Sequence, residues 1–572
     1  MVKACSALAV LLHVFSLLPP ERLRREGVPL QASPASEWLT WGYDQERSGW
    51  NRAETMLSKE NVSRLVLRWS AQLPVPPREI ALSTLTAPLV VEGVTTSQGR
   101  RTLVFVVGSN DTVFAIDADS GKVVWQKAFP NPLTPRQIAT WLCSNTQNAT
   151  PVIDKQKGII YLSTSDGKLR GLSVSTGDER LTPADFVTPF ARNWSLNLID
   201  DVIYSPTARV CGGAIANISA MDVSDPAHPR LSRLYTSGGR PAGAWGRGGV
   251  VRGPSGVITQ TADGLYDPAA GSYGETVIAL APKELRIVDS FTPSNWKYLN
   301  SRDLDLGSTG PAVFPFQGRT LAATIAKEAV LYLLDANALG GPDHRTPLCQ
   351  SARLGNDEEM LGGRGVWGSM ATAADPEGRR FLYVPMWGPP SKSAPPFTFS
   401  HGDAPKGSVM AFQVSGEGDK LSLIPAWISR DMHVPDPPVV ANGVVYAVQT
   451  GENTVQNPRP GGDVRIGIDP DAAGGTARGG QAQGTAPGAG RGGPGGRGGA
   501  ATAASARAAA KLRATPVTNL VLYAFDAQTG KQLYSSEKII PGWVHNGEPV
   551  VAAGKVFIVT WDARVYAFGL ER

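Results

Sequence analysis

Cysteine is scarce in this chain, with 4 among 572 residues. Cys5 falls inside an N-terminal apolar run, which leaves Cys143, Cys211 and Cys349 at scattered positions. An odd number without regular spacing predicts neither a disulfide framework nor a zinc finger. The sequence also has no Cys-x-x-Cys-His, which excludes a covalently attached haem. Redox chemistry in this chain would therefore need a separate electron acceptor.

Long hydrophobic runs are also missing, apart from the short one over Ala4–Leu18 that ends at Pro19. That run is too short to span a bilayer comfortably and is typical of a secretory signal peptide. We predict a signal peptide over 1–35, with cleavage near Ala32 or Ala35. A retained amphipathic start is the alternative. The prediction implies a periplasmic or secreted protein whose mature part has no transmembrane span.

Large apolar residues are nearly absent from 458–516, a stretch of Gly, Ala, Arg and Pro. Such a composition cannot bury enough surface to offset its ordering entropy, so we predict a disordered insertion within a blade. The stretch holds eight Lys or Arg and three Asp, which matches the whole formal charge of +5. The basic charge therefore does not predict a nucleic-acid partner for the rest of the chain; an RGG-like contact by the insertion itself is the alternative.

The sequence does contain a repeat: a three-residue motif at the end of a predicted strand occurs eight times. Most copies follow an apolar strand and a small polar turn, and the clearest copies precede a second turn and another strand. Several short strands per unit at a period of about 40 to 60 residues predict an all-β fold, an eight-bladed β-propeller over 36–572. The copies are Ala115–Asp117, Gly171–Ser173, Ala220–Asp222, Ala279–Ala281, Leu333–Asp335, Ala411–Gln413, Ala524–Asp526 and Ala567–Gly569.

The last repeat has only three predicted strands before the chain ends. Leu65–Trp69 is an isolated strand upstream of the first complete blade, and it fits the vacant fourth place. We therefore predict that N- and C-terminal strands together close one blade, which removes an exposed sheet edge.

The segments Trp41–Asp44 and Asn61–Leu65 with Trp69, followed by the eight repeats, resemble the quinoprotein alcohol dehydrogenase superfamily. The resemblance covers nearly all of the chain outside 458–516. It implies an eight-bladed propeller that binds pyrroloquinoline quinone (PQQ) on its axis. Propellers without catalytic activity carry such repeats too, so the resemblance alone does not decide function.

Two segments resemble those that carry the family's catalytic carboxylate and its quinone-contacting cation. Asp303–Gly307 places Asp305 at the position of the catalytic Asp, and Lys327–Asp335 places Lys327 at the position of the basic residue. The resemblance implies that Asp305 takes the substrate proton and also binds calcium. Lys327 would stabilise negative charge that develops on a quinone oxygen.

Two further residues complete the implied site. Gln260–Gly264 resembles the turn with the family's Asn calcium ligand and puts Asp263 in that role, while Trp245 falls where a tryptophan stacks on the quinone. Carboxylate oxygens suit calcium, and an indole offers a flat apolar face to a ring. Taken singly, each of these residues also has an ordinary explanation as a turn, strand-bridging, rim or packing residue.

Two departures from the family pattern bear on the site. The loop that carries a calcium-binding Glu in the family reads Ser205–Gly213 here, with no acidic residue. The adjacent-cysteine disulfide of many active members is also missing, because Cys143 is followed by Ser144. We therefore expect Cys143 to be a buried free thiol, with a reactive thiol as the alternative.

Two functions of different class follow. The first is a periplasmic PQQ-dependent dehydrogenase that oxidises an alcohol or related substrate by hydride transfer, with calcium as a second cofactor and a separate electron acceptor. The second is a non-catalytic propeller that binds an envelope protein. The first requires Trp245, Asp263, Asp305 and Lys327 to converge on one axial site, whereas the second needs only an exposed groove.

Overall fold

The computed structural model describes most of the chain from residue 35 onward. The predicted signal peptide lies outside the described residues except for Ala35, and so does most of the predicted insertion over 458–516. None of the helices in the described part has the length and apolar character that crossing a bilayer requires. The described residues are 35–77, 83–136, 139, 143–146, 149–208, 211–237, 242–359, 363–454, 511, 514–545 and 547–571.

The first half of the chain forms four antiparallel sheets, numbered here as blades 1 to 4, after two strands that join later blades. Blade 3 has five strands, and a two-stranded ribbon of β18 (Tyr266–Asp267) and β19 (Ser272–Tyr273) is inserted in blade 4. The strands are β1 (Trp50–Asn51) and β2 (Leu65–Gln72); in blade 1, β3 (Leu89–Thr96), β4 (Gly99–Val107), β5 (Thr112–Asp117) and β6 (Val123–Ala128); in blade 2, β7 (Val152–Asp154), β8 (Ile159–Ser163), β9 (Lys168–Ser173) and β10 (Glu179–Asp185); in blade 3, β11 (Arg192–Asn193), β12 (Asn197–Ile199), β13 (Val202–Ala208), β14 (Asn217–Asp222) and β15 (Arg230–Tyr235); and in blade 4, β16 (Val251–Gly253), β17 (Gly256–Gln260), β18 (Tyr266–Asp267), β19 (Ser272–Tyr273), β20 (Val277–Leu280) and β21 (Ile287–Phe291).

The second half adds one helix, α1 (Trp296–Arg302), and blades 5 to 8. Blade 7 includes β1, and blade 8 includes β2. The strands are, in blade 5, β22 (Ala312–Phe316), β23 (Arg319–Thr324), β24 (Tyr332–Asp335) and β25 (Cys349–Gln350); in blade 6, β26 (Gly365–Val366), β27 (Ala371–Ala374), β28 (Arg380–Trp387), β29 (Phe399–Ser400), β30 (Gly407–Glu417) and β31 (Lys420–Ile428); in blade 7, β32 (Val439–Ala441), β33 (Val444–Gln449), β34 (Val521–Asp526) and β35 (Gln532–Ser535); and in blade 8, β36 (Val550–Ala552), β37 (Lys555–Val559) and β38 (Arg564–Leu570).

These sheets confirm the predicted all-β, eight-bladed propeller. Each repeated strand ending lies on the third of the four main strands of its blade, counted from the inner strand, as Ala115–Asp117 does on β5. The predicted closure is also confirmed, because β2 pairs antiparallel with β38 from Leu65↔Leu570 to Gln72↔Arg564. Strands from both ends of the described chain therefore build one blade.

A tryptophan on the outer strand of one blade docks onto the repeat turn of the next. The indole Nε1 of Trp69 donates to the carbonyl oxygen of Ala118 at 2.9 Å. Gly121 in that turn has φ +71°, and a Cβ there would lie 2.7 Å from the Trp69 ring. Only glycine suits such a position without strain. Trp125 and Trp427 dock on the following blades in the same way, so the repeat specifies contacts between blades as well as within them.

The segment before the first full strand, 36–51, fills the centre of the ring. Its Trp38, Trp41 and Arg47 are fully buried. Arg47 donates from its guanidinium to the carbonyl oxygens of Gly248 and Leu196, both at 2.9 Å. The segment reaches the inner strand of every blade. Its hydrogen bonds to those strands are made at Val90, Ile153, Asn197, Arg252, Val313, Thr372, Val440 and Val551.

Glu548 holds this central segment, and its titration should be visible in stability. Both of its carboxyl oxygens lie 3.0 Å from the backbone nitrogen of Gly42. Burial raises the pKa of Glu548 from 4.5 to about 8, although Gly42 and Arg47 oppose the shift. The unfolded chain releases this proton near pH 4.5 and the folded chain only near pH 8. We therefore expect the free energy of unfolding to fall as the pH rises through that window.

Urea denaturation between about pH 5 and pH 9 measures this effect. Glu548→Gln should flatten the pH dependence, whereas Glu417→Gln, at an exposed strand end, should leave it as in the wild type. The prediction would be contradicted if the free energy of unfolding rose from pH 5 to pH 8 by the same amount in the wild type and in both variants.

Candidate active site at the propeller axis

The four predicted site residues lie at one end of blades 4 and 5. Trp245 and Asp305 precede the inner strands β16 and β22, whereas Asp263 and Lys327 follow the second strands β17 and β23. Since the first and second strands of a blade are antiparallel, the start of one and the end of the other lie at the same face. The propeller topology therefore brings all four positions to one end of the ring.

The carboxylate of Asp305 is the point where these residues meet. Its Oδ2 accepts hydrogen bonds from Lys327 Nζ at 2.8 Å and from Trp245 Nε1 at 3.1 Å. Its Oδ1 accepts from the backbone nitrogen of Asp263 at 3.3 Å. Asp305 is 1% exposed and Lys327 is 2% exposed, while Trp245 and Asp263 are half-buried. The arrangement is a buried ion pair below a partly open aromatic face.

Asp303 is the second carboxylate on Lys327, a role that sequence reasoning did not assign. It caps α1 in the left-handed conformation, with φ 55°. Both its Oδ1 and its carbonyl oxygen accept from Lys327 Nζ at 3.0 Å. Burial alone would lower the pKa of Lys327, but Asp303 and Asp305 outweigh it and raise the pKa above 10.5. The lysine is therefore an ammonium ion at every physiological pH.

A row of indole rings runs beside the ion pair. Trp245 lies 5.3 Å from Trp367 and 6.5 Å from Trp194 between ring centroids. Trp367 in turn stacks on Trp387 at 5.2 Å with an interplanar angle of 9°. Lys327 Nζ lies 5.1 Å from the Trp245 centroid and 4.8 Å from that of Trp367, both within cation–π range. Of these rings, only Trp245 was predicted as a site residue, because the other three lie outside the segments that resemble the family.

Glu275 is a buried carboxyl that the sequence did not point to. It lies between β19 and β20, and its Oε2 accepts from the backbone nitrogen of Leu306 at 2.6 Å. Its Oε1 has no hydrogen-bond partner among the described residues. Burial, followed by the negative charge of Asp305, raises the pKa of Glu275 well above 4.5. The extra ribbon β18–β19 lengthens the second turn of blade 4, and Glu275 follows it in the chain.

Positive charge and buried hydroxyl groups lie around Trp194, which follows β11 of blade 3. The guanidinium carbons of Arg192 and Arg247 lie 4.7 and 5.3 Å from its ring centroid. The hydroxyls of nearby buried residues find no hydrogen-bond partner within the described parts of the chain. These residues are Thr150, Ser195 and Thr207. Buried donors of this kind usually contact ordered water or a ligand.

A second titratable cluster comes from blades 7 and 8 and faces Arg247. His545 Nδ1 lies 2.5 Å from Glu452 Oε2. Asp436 is 1% exposed. Burial, and then the nearby Glu452, raise the pKa of Asp436 well above 3.8. The axial region is thus lined with polar groups on several blades.

The expectation that Cys143 is a free thiol was wrong. Cys143 and Cys211 form a disulfide, with an S–S distance of 2.08 Å, and Cys349 is the free cysteine of the described chain. The bond joins the segment after blade 1 to the β13–β14 loop, which is the loop that lacks the expected acidic residue. The partners are 68 residues apart in sequence, and an odd count left no way to choose a pair.

The residues around Asp305 do not complete the predicted set of calcium ligands. Within the described ranges, no three His, Cys, Asp or Glu side chains form a group that could hold a metal ion. Both oxygens of Asp305 are already engaged, one of them by an ammonium group. The donor set in this arrangement therefore does not fit a divalent cation.

Comparisons with known proteins agree on the architecture. Residues 67–214 match the family model described as outer membrane protein assembly factor BamB. A quinohemoprotein alcohol dehydrogenase from Pseudomonas putida HK5 aligns with a TM-score of 0.56 at 12% identity, covering 94% of this chain and 80% of that one. The enzyme of the same class from Comamonas testosteroni gives 0.55 at 14% identity, covering 94% and 81%.

A europium-containing methanol dehydrogenase also aligns, with a TM-score of 0.56 at 12% identity over 94% of this chain and 98% of that one. The search of curated proteins gave no match. Identities this low establish the fold alone. The chain has the eight-bladed propeller fold of the quinoprotein alcohol dehydrogenases.

Proposed function

We propose that the axial site binds pyrroloquinoline quinone and that the protein is a dehydrogenase, periplasmic or secreted, acting on an alcohol or a related substrate. The observation that carries the proposal is that Trp245 and Lys327 both donate hydrogen bonds to the carboxylate of Asp305. Their residue types are those that a planar quinone and a hydride transfer need. The quinoprotein dehydrogenases with the same fold support the proposal by analogy.

The residues present fit a flat polyanion such as this quinone. The half-buried Trp245 offers a ring face, and two buried guanidinium groups lie close by on Trp194. The unpartnered hydroxyls of Thr150 and Thr207 suit carboxylate oxygens of a ligand. The same site does not fit calcium, because the oxygen donors in their present arrangement do not form a site for a divalent cation. No step of the mechanism is therefore assigned to it.

When bound, the quinone supplies the two-electron acceptor for a hydride from the substrate carbon. Asp305 accepts the hydroxyl proton, and the ammonium of Lys327 lies 2.8 Å from its Oδ2. The ammonium of Lys327 supplies a fixed positive charge beside Trp245, which would stabilise negative charge on a bound quinone. Asp305 and Lys327 are almost completely buried, which excludes water from the ion pair and strengthens both effects. Turnover would require a separate electron acceptor, because the chain has no Cys-x-x-Cys-His for a covalently attached haem.

The competing function is a non-catalytic propeller that binds a protein partner in the cell envelope. What favours it is the match of residues 67–214 to the family model described as an outer membrane assembly factor. That match covers the region of blades 1 and 2, with part of blade 3, and leaves out Trp245, Asp305 and Lys327. A protein-binding surface needs no buried ammonium–carboxylate pair beside an aromatic face, so the geometry favours the enzyme.

Titration of the purified protein with PQQ, followed by quenching of tryptophan fluorescence, tests the proposal. We expect saturable binding, and Trp245→Ala should weaken it by about tenfold or more because the ring loses its stacking surface. Trp125→Phe is the matched control, since Trp125 docks blade 1 on blade 2 away from the site. No quenching in the wild type up to high micromolar PQQ would contradict the proposal and favour the protein-binding alternative.

A further inference from the structure

Lys327 is enclosed by its surroundings in a way that matches an ammonium ion. The three N–H groups have three oxygen acceptors, namely Asp305 Oδ2 at 2.8 Å and the Oδ1 and carbonyl oxygen of Asp303 at 3.0 Å. The rings of Trp245 and Trp367 face the same nitrogen at 5.1 and 4.8 Å. Every donor of the lysine is therefore used within the protein.

The composition of this enclosure is unsuitable for a hard divalent cation. Calcium takes 6–8 oxygen ligands at about 2.3–2.6 Å, whereas two sides of this enclosure are indole faces. Such faces attract organic cations through the ring quadrupole and provide no lone pair for a metal. Two carboxylates together with two aromatic rings are a cage for an ammonium group.

The lysine backbone is held as firmly as its side chain. Asn356 Nδ2 donates to the carbonyl oxygen of Lys327 at 2.6 Å. On the other side lies Gly365, where a Cβ would approach that oxygen to 2.2 Å, so the adjacent chain packs directly on it. A cation arriving from solvent would have to displace the ammonium while the backbone of Lys327 stays in place. Displacement would also break three charge-assisted hydrogen bonds.

We propose that the ammonium group of Lys327 takes the place of a divalent metal ion at this site, so that ligands bind beside Trp245 without a metal. The charge that a metal would bring to a bound anion is then supplied by a residue of the chain. The inference has two halves. The first concerns only Lys327, Asp303 and Asp305 and is testable without any quinone. The second half, the metal-independent binding of the quinone, rests on the proposed function and deepens it.

Terbium luminescence sensitised by tryptophan is the direct probe, because the Trp245 indole nitrogen lies 3.1 Å from Asp305 Oδ2. Wild-type protein titrated with Tb³⁺ should show no sensitised emission that depends on Asp305. Lys327→Met removes the ammonium that both carboxylates contact. It should bind Tb³⁺ about a hundredfold more tightly than the wild type, in competition with Ca²⁺.

Three controls make the result specific. Lys283→Met removes a half-exposed lysine that pairs with Asp222, and it should behave as the wild type. Lys327→Met combined with Asp305→Asn should lose the new emission. If Lys327→Met is poorly folded, its melting temperature should rise on addition of Ca²⁺ while that of the wild type does not.

Two outcomes overturn the proposal. One is micromolar Tb³⁺ binding by the wild type that disappears in Asp305→Asn, and the other is silence in both the wild type and Lys327→Met. PQQ titrations with EGTA or with Ca²⁺ test the second half, where equal affinities support it and a requirement for Ca²⁺ overturns it. Absence of PQQ binding under both conditions would instead reject the proposed function, while the terbium result would still decide whether Lys327 stands in place of the metal.

Discussion

Asp305→Asn is expected to lower the turnover of alcohol substrates by about 10²–10⁴-fold, the range typical of a lost general base. Asparagine has nearly the same shape but cannot accept the substrate proton. The change also removes one of the two carboxylates that compensate the ammonium of Lys327. Steady-state kinetics of the PQQ-loaded protein, with PQQ affinity measured in parallel, would separate loss of turnover from loss of cofactor.

Asp303→Asn is the matched control for this prediction. It removes the other carboxylate from Lys327 but leaves Asp305 able to accept a proton, so we expect a clearly smaller loss of turnover. Equal losses in the two variants would show that Asp305 acts by charge compensation. Unchanged turnover in Asp305→Asn would reject its role as base.

Deletion of residues 543–572 is expected to leave the protein insoluble or without a cooperative thermal transition. The deletion removes β36, β37 and β38, which are three of the four strands of blade 8, and leaves β2 without its partner. Trp69 on β2 docks on blade 1, so the break would disturb both neighbouring contacts of the missing blade. Exposed strand edges of this kind promote aggregation.

Deletion of the same length within the Gly/Arg-rich stretch, 470–499, is the control. Composition predicts that this stretch has no packed core to lose, and it lies outside the described residues. Comparison of soluble yield and of differential scanning calorimetry would therefore separate the effect of closure from that of chain length. A soluble 543–572 deletion that melts in one sharp transition would argue against closure as the source of stability.

Much of the architecture could be predicted because each blade repeats one local pattern. Ala115–Asp117 and its seven counterparts all lie on third strands, and the isolated strand Leu65–Trp69 completes blade 8 as predicted. Local signals sufficed for most of the fold because most paired strands follow one another in sequence. The disulfide between Cys143 and Cys211 follows no such rule, since it joins loops of non-adjacent repeats.

The site was predictable only where a family motif exists. Trp245, Asp263, Asp305 and Lys327 do meet at one end of the ring, and their chemical roles stay predictions. Glu275 was missed because its position depends on an inserted ribbon in blade 4. The partners of Lys327 could not be read from types and spacing either. Whether a lysine lies in solvent or in a cage depends on packing between blades.

The segment 36–51 has a consequence for how the chain can fold during synthesis. It leaves the ribosome before every blade, yet its hydrogen-bond partners extend from Val90 to Ala553. The buried Trp38 and Trp41 therefore cannot reach their final environment until blade 8 exists. Contacts of such long sequence separation form slowly and late. A stalled or truncated chain would expose both indoles, which makes the filled centre of the ring a sign that synthesis has reached the last blade.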